Sequence, residues 1–145
     1  MIITHFKETA MKYLSLLLTS SAFLMSACST TPTTTPSAVS STLFATQSAD
    51  TVPLTITRDS GIVGAGCKIQ VSIDNQQAAA LRPSESVTMH VPSGKHILAI
   101  DTKDAGSILC TSIQDAVRVN LEKNDPVSYR IRFDTNGNLQ LVPTL

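Results

Sequence analysis

From Thr51 onward the chain alternates. Val52, Leu54 and Ile56 are set against Thr51, Thr55 and Thr57; Cys67, Ile69, Val71 and Ile73 against Lys68, Gln70, Ser72 and Asp74; and Val87, Met89 and Val91 against Ser86, Thr88 and His90. A period of two sends successive side chains to opposite faces of a pleated strand, so these runs predict half-buried β-strands. Further strands are expected at 96–100, 117–121, 127–133 and 139–142, with a weaker candidate at 107–112. Pro92-Ser93-Gly94 reads as a hairpin turn, residues 122–126 as a five-residue hairpin connection, and Asn136-Gly137 as a tight turn that accepts positive φ. Only Gln76 to Leu81 looks helical. Roughly seven or eight short strands without a long helix predict an all-β fold, a small antiparallel β-sandwich over residues 51–145.

Upstream the alternation disappears. Residues 29–50 are rich in Ser, Thr and Pro and carry no charge before Asp50, a composition that does not fold alone. Residues 28–50 therefore read as a flexible tether, with Leu43-Phe44 the one pair suited to docking. Before them, Lys12 is followed by the apolar stretch 13–25, whose 13 residues fall short of the roughly 20 that a permanent membrane helix needs. A cleaved signal peptide over 1–27, with translation starting at Met11, fits better. Its last three residues with the one that follows, Met25-Ser26-Ala27-Cys28, resemble the lipobox of bacterial lipoproteins. That resemblance implies cleavage before Cys28, a diacylglyceryl group on its thiol, and the membrane as a partner through that lipid. Ser29 stands where an Asp would hold such a protein at the inner membrane, which implies the outer membrane as destination.

Composition narrows the remaining classes. Eleven Lys+Arg balance eleven Asp+Glu, so there is no basic surface for nucleic acid. With Cys28 carrying lipid, Cys67 and Cys110 are left in an oxidising compartment and are expected to pair. No Ser or Cys nucleophile lies beside a base in the readable pairing, so no catalytic residues and no enzyme are expected.

The order Arg58, Gly61, Gly64, then residues 69–76 containing Asp74, then Leu81 and Pro92-Ser93-Gly94-Lys95-His96 is similar to small uncharacterised bacterial outer-membrane lipoproteins related to the PEGA-type β-sandwich. The resemblance spans about residues 54–133 and implies an extracytoplasmic β-domain with no assigned molecular role.

No metal or cofactor is expected. A hairpin turned at Ser93-Gly94 puts His90 and His96 on opposite faces, leaving His96 at the core rim bonded to backbone. Residues 134–138 lack the spacing of a calcium loop, and Asp101 and Asp104 read as solvated loop acids. The arginines form one cluster: pairing Leu121 with Val127 sets Arg118 opposite Arg130, with Arg132 diagonal to both. Either acids neutralise this face or it binds an anion. The expected role is a non-catalytic binding or structural module of the cell envelope, touching another envelope protein or an anionic envelope polymer. The alternative is an inhibitor of a periplasmic enzyme such as lysozyme.

Overall fold

The computed structural model describes residues 30–102, 110 and 112–144. The expected signal peptide, Cys28, Asp104 and most of the strand candidate at 107–112 lie outside the described residues. Those described contain no helix and fold as a β-sandwich. One sheet has the order β1 (Ser37–Ala38), β5 (Glu85–Pro92), β2 (Thr51–Arg58), β8 (Val127–Phe133), β9 (Leu139–Pro143). The other has the order β4 (Gln76–Leu81), β3 (Ile69–Ile73), β6 (Gly94–Asp101), β7 (Gln114–Leu121). Pairing is antiparallel except for β1 with β5 and β2 with β8.

The alternation read from the sequence is the alternation of burial. In β2 every second residue from Val52 to Arg58 is buried, and Ile69, Val71 and Ile73 do the same in β3. These side chains meet Met89, Val91, Leu98, Ile100, Leu121 and Ile131 in one core between the sheets, and removing that apolar surface from water supplies the main drive for the fold. Pro53 is tolerated inside β2 because pairing with β8 begins only at Leu54, so the missing N–H falls where one neighbour is absent.

Four local expectations are corrected. Residues 76–81 form strand β4, joined to β3 through Asp74 and Asn75, both at positive φ (50° and 65°). Asp and Asn tolerate that region better than other side chains, so the pair turns the hairpin without Gly. Pro92-Ser93-Gly94 is not a hairpin: β5 and β6 belong to different sheets, and Ser93 is the corner between them. The 122–126 connection likewise crosses from β7 to β8 in the opposite sheet, so Leu121 does not pair with Val127; their partners are Gly94 and Leu54. Asn136-Gly137 does close the β8–β9 hairpin as expected, with the Asp134 carboxylate accepting from the Asn136 and Asn138 backbone N–H groups and from the Asn138 side chain. Those bonds hold its pKa below the ordinary carboxylate value.

The fourth correction concerns the tether. From Thr30 the chain lies on the sandwich. Thr31 exchanges backbone hydrogen bonds with Ser60, Ser37–Ala38 pairs with β5, the Thr42 N–H donates to the Ala78 carbonyl, and the Phe44 carbonyl accepts from the His90 N–H. Val39 and Phe44 pack against the core. The segment thus covers backbone along the outer edge of β5 and part of β4, groups that would otherwise be open to pairing with another chain. Its Ser/Thr composition, which argues against independent folding, suits this dependent role because hydroxyls add bonds such as Thr42 Oγ1 to the Ala78 carbonyl (3.0 Å).

Strand direction gives the molecule two ends. Arg58, Ile69, Leu81, Glu85, Asp101, Gln114, Phe133 and Leu139 mark one end, where Thr30 also lies; we call this the proximal end. The turn at Asp74-Asn75, the corner at Ser93 and the 122–126 crossing lie at the distal end.

Candidate functional site

At the proximal end, the parity that buries Val52, Leu54 and Ile56 also buries Arg58. Its guanidinium donates to three main-chain carbonyls: Nη1 to Cys67 (2.6 Å) and Leu81 (2.9 Å), and Nη2 to Gly64 (2.7 Å). Burial lowers its pKa to about 10, an effect that the charge of Glu85 opposes, so it stays protonated at neutral pH. Arg58 thereby joins the β2–β3 loop to the end of β4. Cys67 and Cys110 form the expected disulfide, with Cα atoms 5.7 Å apart. Gly64, at φ +65°, lies so close to Phe133 that a Cβ there would sit 2.7 Å from its ring. Three contacts fix this loop, two of them meeting at Cys67.

The arginine face does not form. Arg118 is on β7, while Arg130 and Arg132 are on β8 in the other sheet. Arg130 grips Asp59 with two bonds, Nε to Oδ1 (3.0 Å) and Nη2 to Oδ2 (2.6 Å). The Asp59 side chain is 1% exposed, and hydrogen bonding to it raises the Arg130 pKa above its ordinary value. A buried carboxylate needs that cation, which makes Arg130 part of the fold. Arg132 donates from Nε to Gln140 Oε1 (3.0 Å) on the neighbouring β9.

Arg118 acquires a different neighbour. On the outer face of β6 and β7, Ile97 lies opposite Arg118, and Lys95 lies opposite Asn120 and diagonal to Arg118. Ile97 is 46% exposed. Lys95 and Arg118 are both exposed, and among the described residues neither has an ion-pair partner. An apolar side chain between two solvated cations lines a cleft of about 550 Å³ that also reaches Asp74, His96 and Asn120. It opens at the distal end.

His96 orders the rim of this cleft. Its Nδ1 is 2.7 Å from Asp74 Oδ2 and its Nε2 is 2.9 Å from the Pro92 carbonyl. The backbone contact is the one expected for a rim histidine. Both partners are acceptors, so the doubly protonated ring satisfies both contacts, whereas a neutral ring has one N–H to give. The other Asp74 oxygen accepts from the Ile97 N–H (2.9 Å). The His96 bond first, and the Ile97 bond second, hold the Asp74 pKa below its ordinary value. The turn Asp and the corner His, separate features in the sequence, thus form one contact that ties the β3–β4 turn to the start of β6.

Sequence reasoning missed Lys95 as Arg118's neighbour, because the assumed β7–β8 hairpin hid the β6–β7 pairing. A signal was present: Lys95 and Ile97 share the parity opposite to Leu98 and Ile100. No protein-family model matches the chain, and no similar sequence was found among curated proteins.

Proposed function

We propose that this chain is a lipid-anchored envelope protein of the outer membrane that acts by binding rather than by catalysis, using the distal face of β6 and β7. The observation that carries this reading is the Lys95–Ile97–Arg118 group: two cations without acidic ion-pair partners among the described residues, flanking an exposed apolar side chain in one cleft. Guanidinium and ammonium groups suit carboxylate or phosphate oxygens, and Ile97 suits an apolar group beside them. The anchor follows from the lipobox at Cys28 and would hold the proximal end toward the membrane, leaving the cleft directed outward. The relationship to PEGA-type lipoproteins remains part of this proposal, supported by the Asp74–His96 contact between two of the residues that carried the resemblance.

The test is binding of purified protein to isolated peptidoglycan and to lipopolysaccharide at graded salt. Wild type is expected to bind one of them in a salt-sensitive manner, Lys95→Gln/Arg118→Gln to lose that binding, and Arg132→Gln to retain it. Absence of binding to both polymers, or equal binding by the double variant, contradicts the assignment.

A further inference from the structure

The most exposed large apolar side chain among the described residues is Ile62, at 85%. A single exposed Ile is ordinary on a protein surface, and what sets this one apart is its position. Three features of that position matter.

First, its loop is held in shape. Arg58 grips the carbonyls of Gly64 and Cys67, the Cys67–Cys110 bond closes the loop's end, and Gly64 abuts the Phe133 ring. Val63 turns toward the core while Ile62 is left outside. Second, the loop carries no formal charge from Ser60 to Cys67, so nothing in it opposes transfer into an apolar layer except backbone, part of which is already bonded. Third, the loop adjoins Thr30 and Thr31. Thr31 pairs with Ser60, and the Thr30 Cα lies 3.1 Å from where a Cβ on Gly61 would be. Cys28 is two residues before Thr30, and two extended residues span at most about 7 Å. That reach is comparable with one interfacial layer of a bilayer, roughly 5–8 Å deep on each side of the hydrocarbon.

We propose that Ile62 is a second membrane contact, a rigid loop tip that enters the lipid interface beside the acylated Cys28 and sets the domain upright with its distal cleft facing away. This rests on the reading of Cys28 as acylated. The lipid supplies the attachment, and Ile62 supplies a second point that converts a pivot into an orientation. The proposed occupant is the bilayer bearing the protein's own lipid, because the short covalent path from Cys28 brings that surface to this loop and to no distal element.

The chain contains no Trp, so a single introduced Trp is a unique fluorophore. Ile62→Trp and Ile97→Trp proteins, each isolated with the native lipid, are to be reconstituted in phosphatidylethanolamine and phosphatidylglycerol vesicles with brominated acyl chains, which quench indole on contact. Both positions are solvent-exposed, so both variants should keep the wild-type melting temperature, and both indoles have the same affinity for an interface. Trp at 62 is expected to lose most of its emission and Trp at 97 to keep it. An unquenched Trp at 62 overturns the proposal; if the mass of the Cys28 peptide shows its acyl groups, the anchor stands without the second contact. An unmodified Cys28 overturns the anchor and this inference together. Equal quenching at both positions overturns the upright orientation.

Discussion

Replacing Arg58 with Met is expected to destabilise the domain by about 4 kcal/mol, among the largest effects a single substitution produces. The side chain keeps its length and apolar stem but gives up every donor. The Cys67 and Leu81 carbonyls then lose charged hydrogen bonds inside the fold, as does the Gly64 carbonyl, which keeps the bond from the Cys67 N–H, and each buried acceptor left without a partner costs roughly 1–3 kcal/mol. Native domains are stable by about 5–15 kcal/mol in total, so a large share is removed. The melting temperature should fall by roughly 15–30 °C for a domain of this size. Arg58→Lys should fall between the two proteins, since an ammonium retains the charge but lacks the planar fork that reaches three carbonyls at once. Thermal unfolding followed by circular dichroism is the measurement. A loss under about 1 kcal/mol for the Met variant, the ordinary effect of a substitution, contradicts the role given to Arg58.

The Cys67–Cys110 bond closes a separation of 43 residues. In the chain-entropy treatment, constraining a loop of that length in the unfolded chain stabilises the fold by about 4 kcal/mol. Cys67→Ala/Cys110→Ala should therefore melt well below wild type, and reduced wild type should match the double variant. The Cys67 carbonyl is also an acceptor for Arg58, so the two effects share a structure and should not add. Combining Arg58→Met with the double Cys variant should cost less than the sum. Identical melting of oxidised and reduced wild type rules out the stabilising role.

How far the sequence carried these conclusions depends on the residue. Where β-branched and polar residues alternate, as in β2, β3 and β5, burial follows the period of two directly. β4 escaped because Gln-Gln-Ala-Ala-Ala-Leu has no alternation to read. A register shift at Val71/Ser72 of its partner lets consecutive Ala78 and Ala79 both be buried. The bulge, not propensity, decides the strand. Pairing was less legible than strands. A Pro-Ser-Gly stretch between two alternating runs has the same local chemistry whether the chain folds back within a sheet or crosses to the opposite one, and the choice rests on contacts distant in sequence. That difference dissolved the expected cluster of Arg118, Arg130 and Arg132 and replaced it with Arg118 beside Lys95. The disulfide was legible from counting, since two cysteines remain once Cys28 is assigned to lipid. Residues 30–50 were not, because their order comes from the edges they cover.

In the proposed anchoring, the folded domain is tied to a membrane through Cys28, two residues ahead of Thr30. Mass spectrometry of the mature protein from outer-membrane fractions tests it most directly, since trypsin would release residues 28–58 as one N-terminal peptide. The expected result is a peptide that begins at Cys28 and carries the mass of a diacylglyceryl group on its thiol. A mature N-terminus elsewhere, or a peptide with an unmodified Cys28 thiol, rules out the lipid anchor.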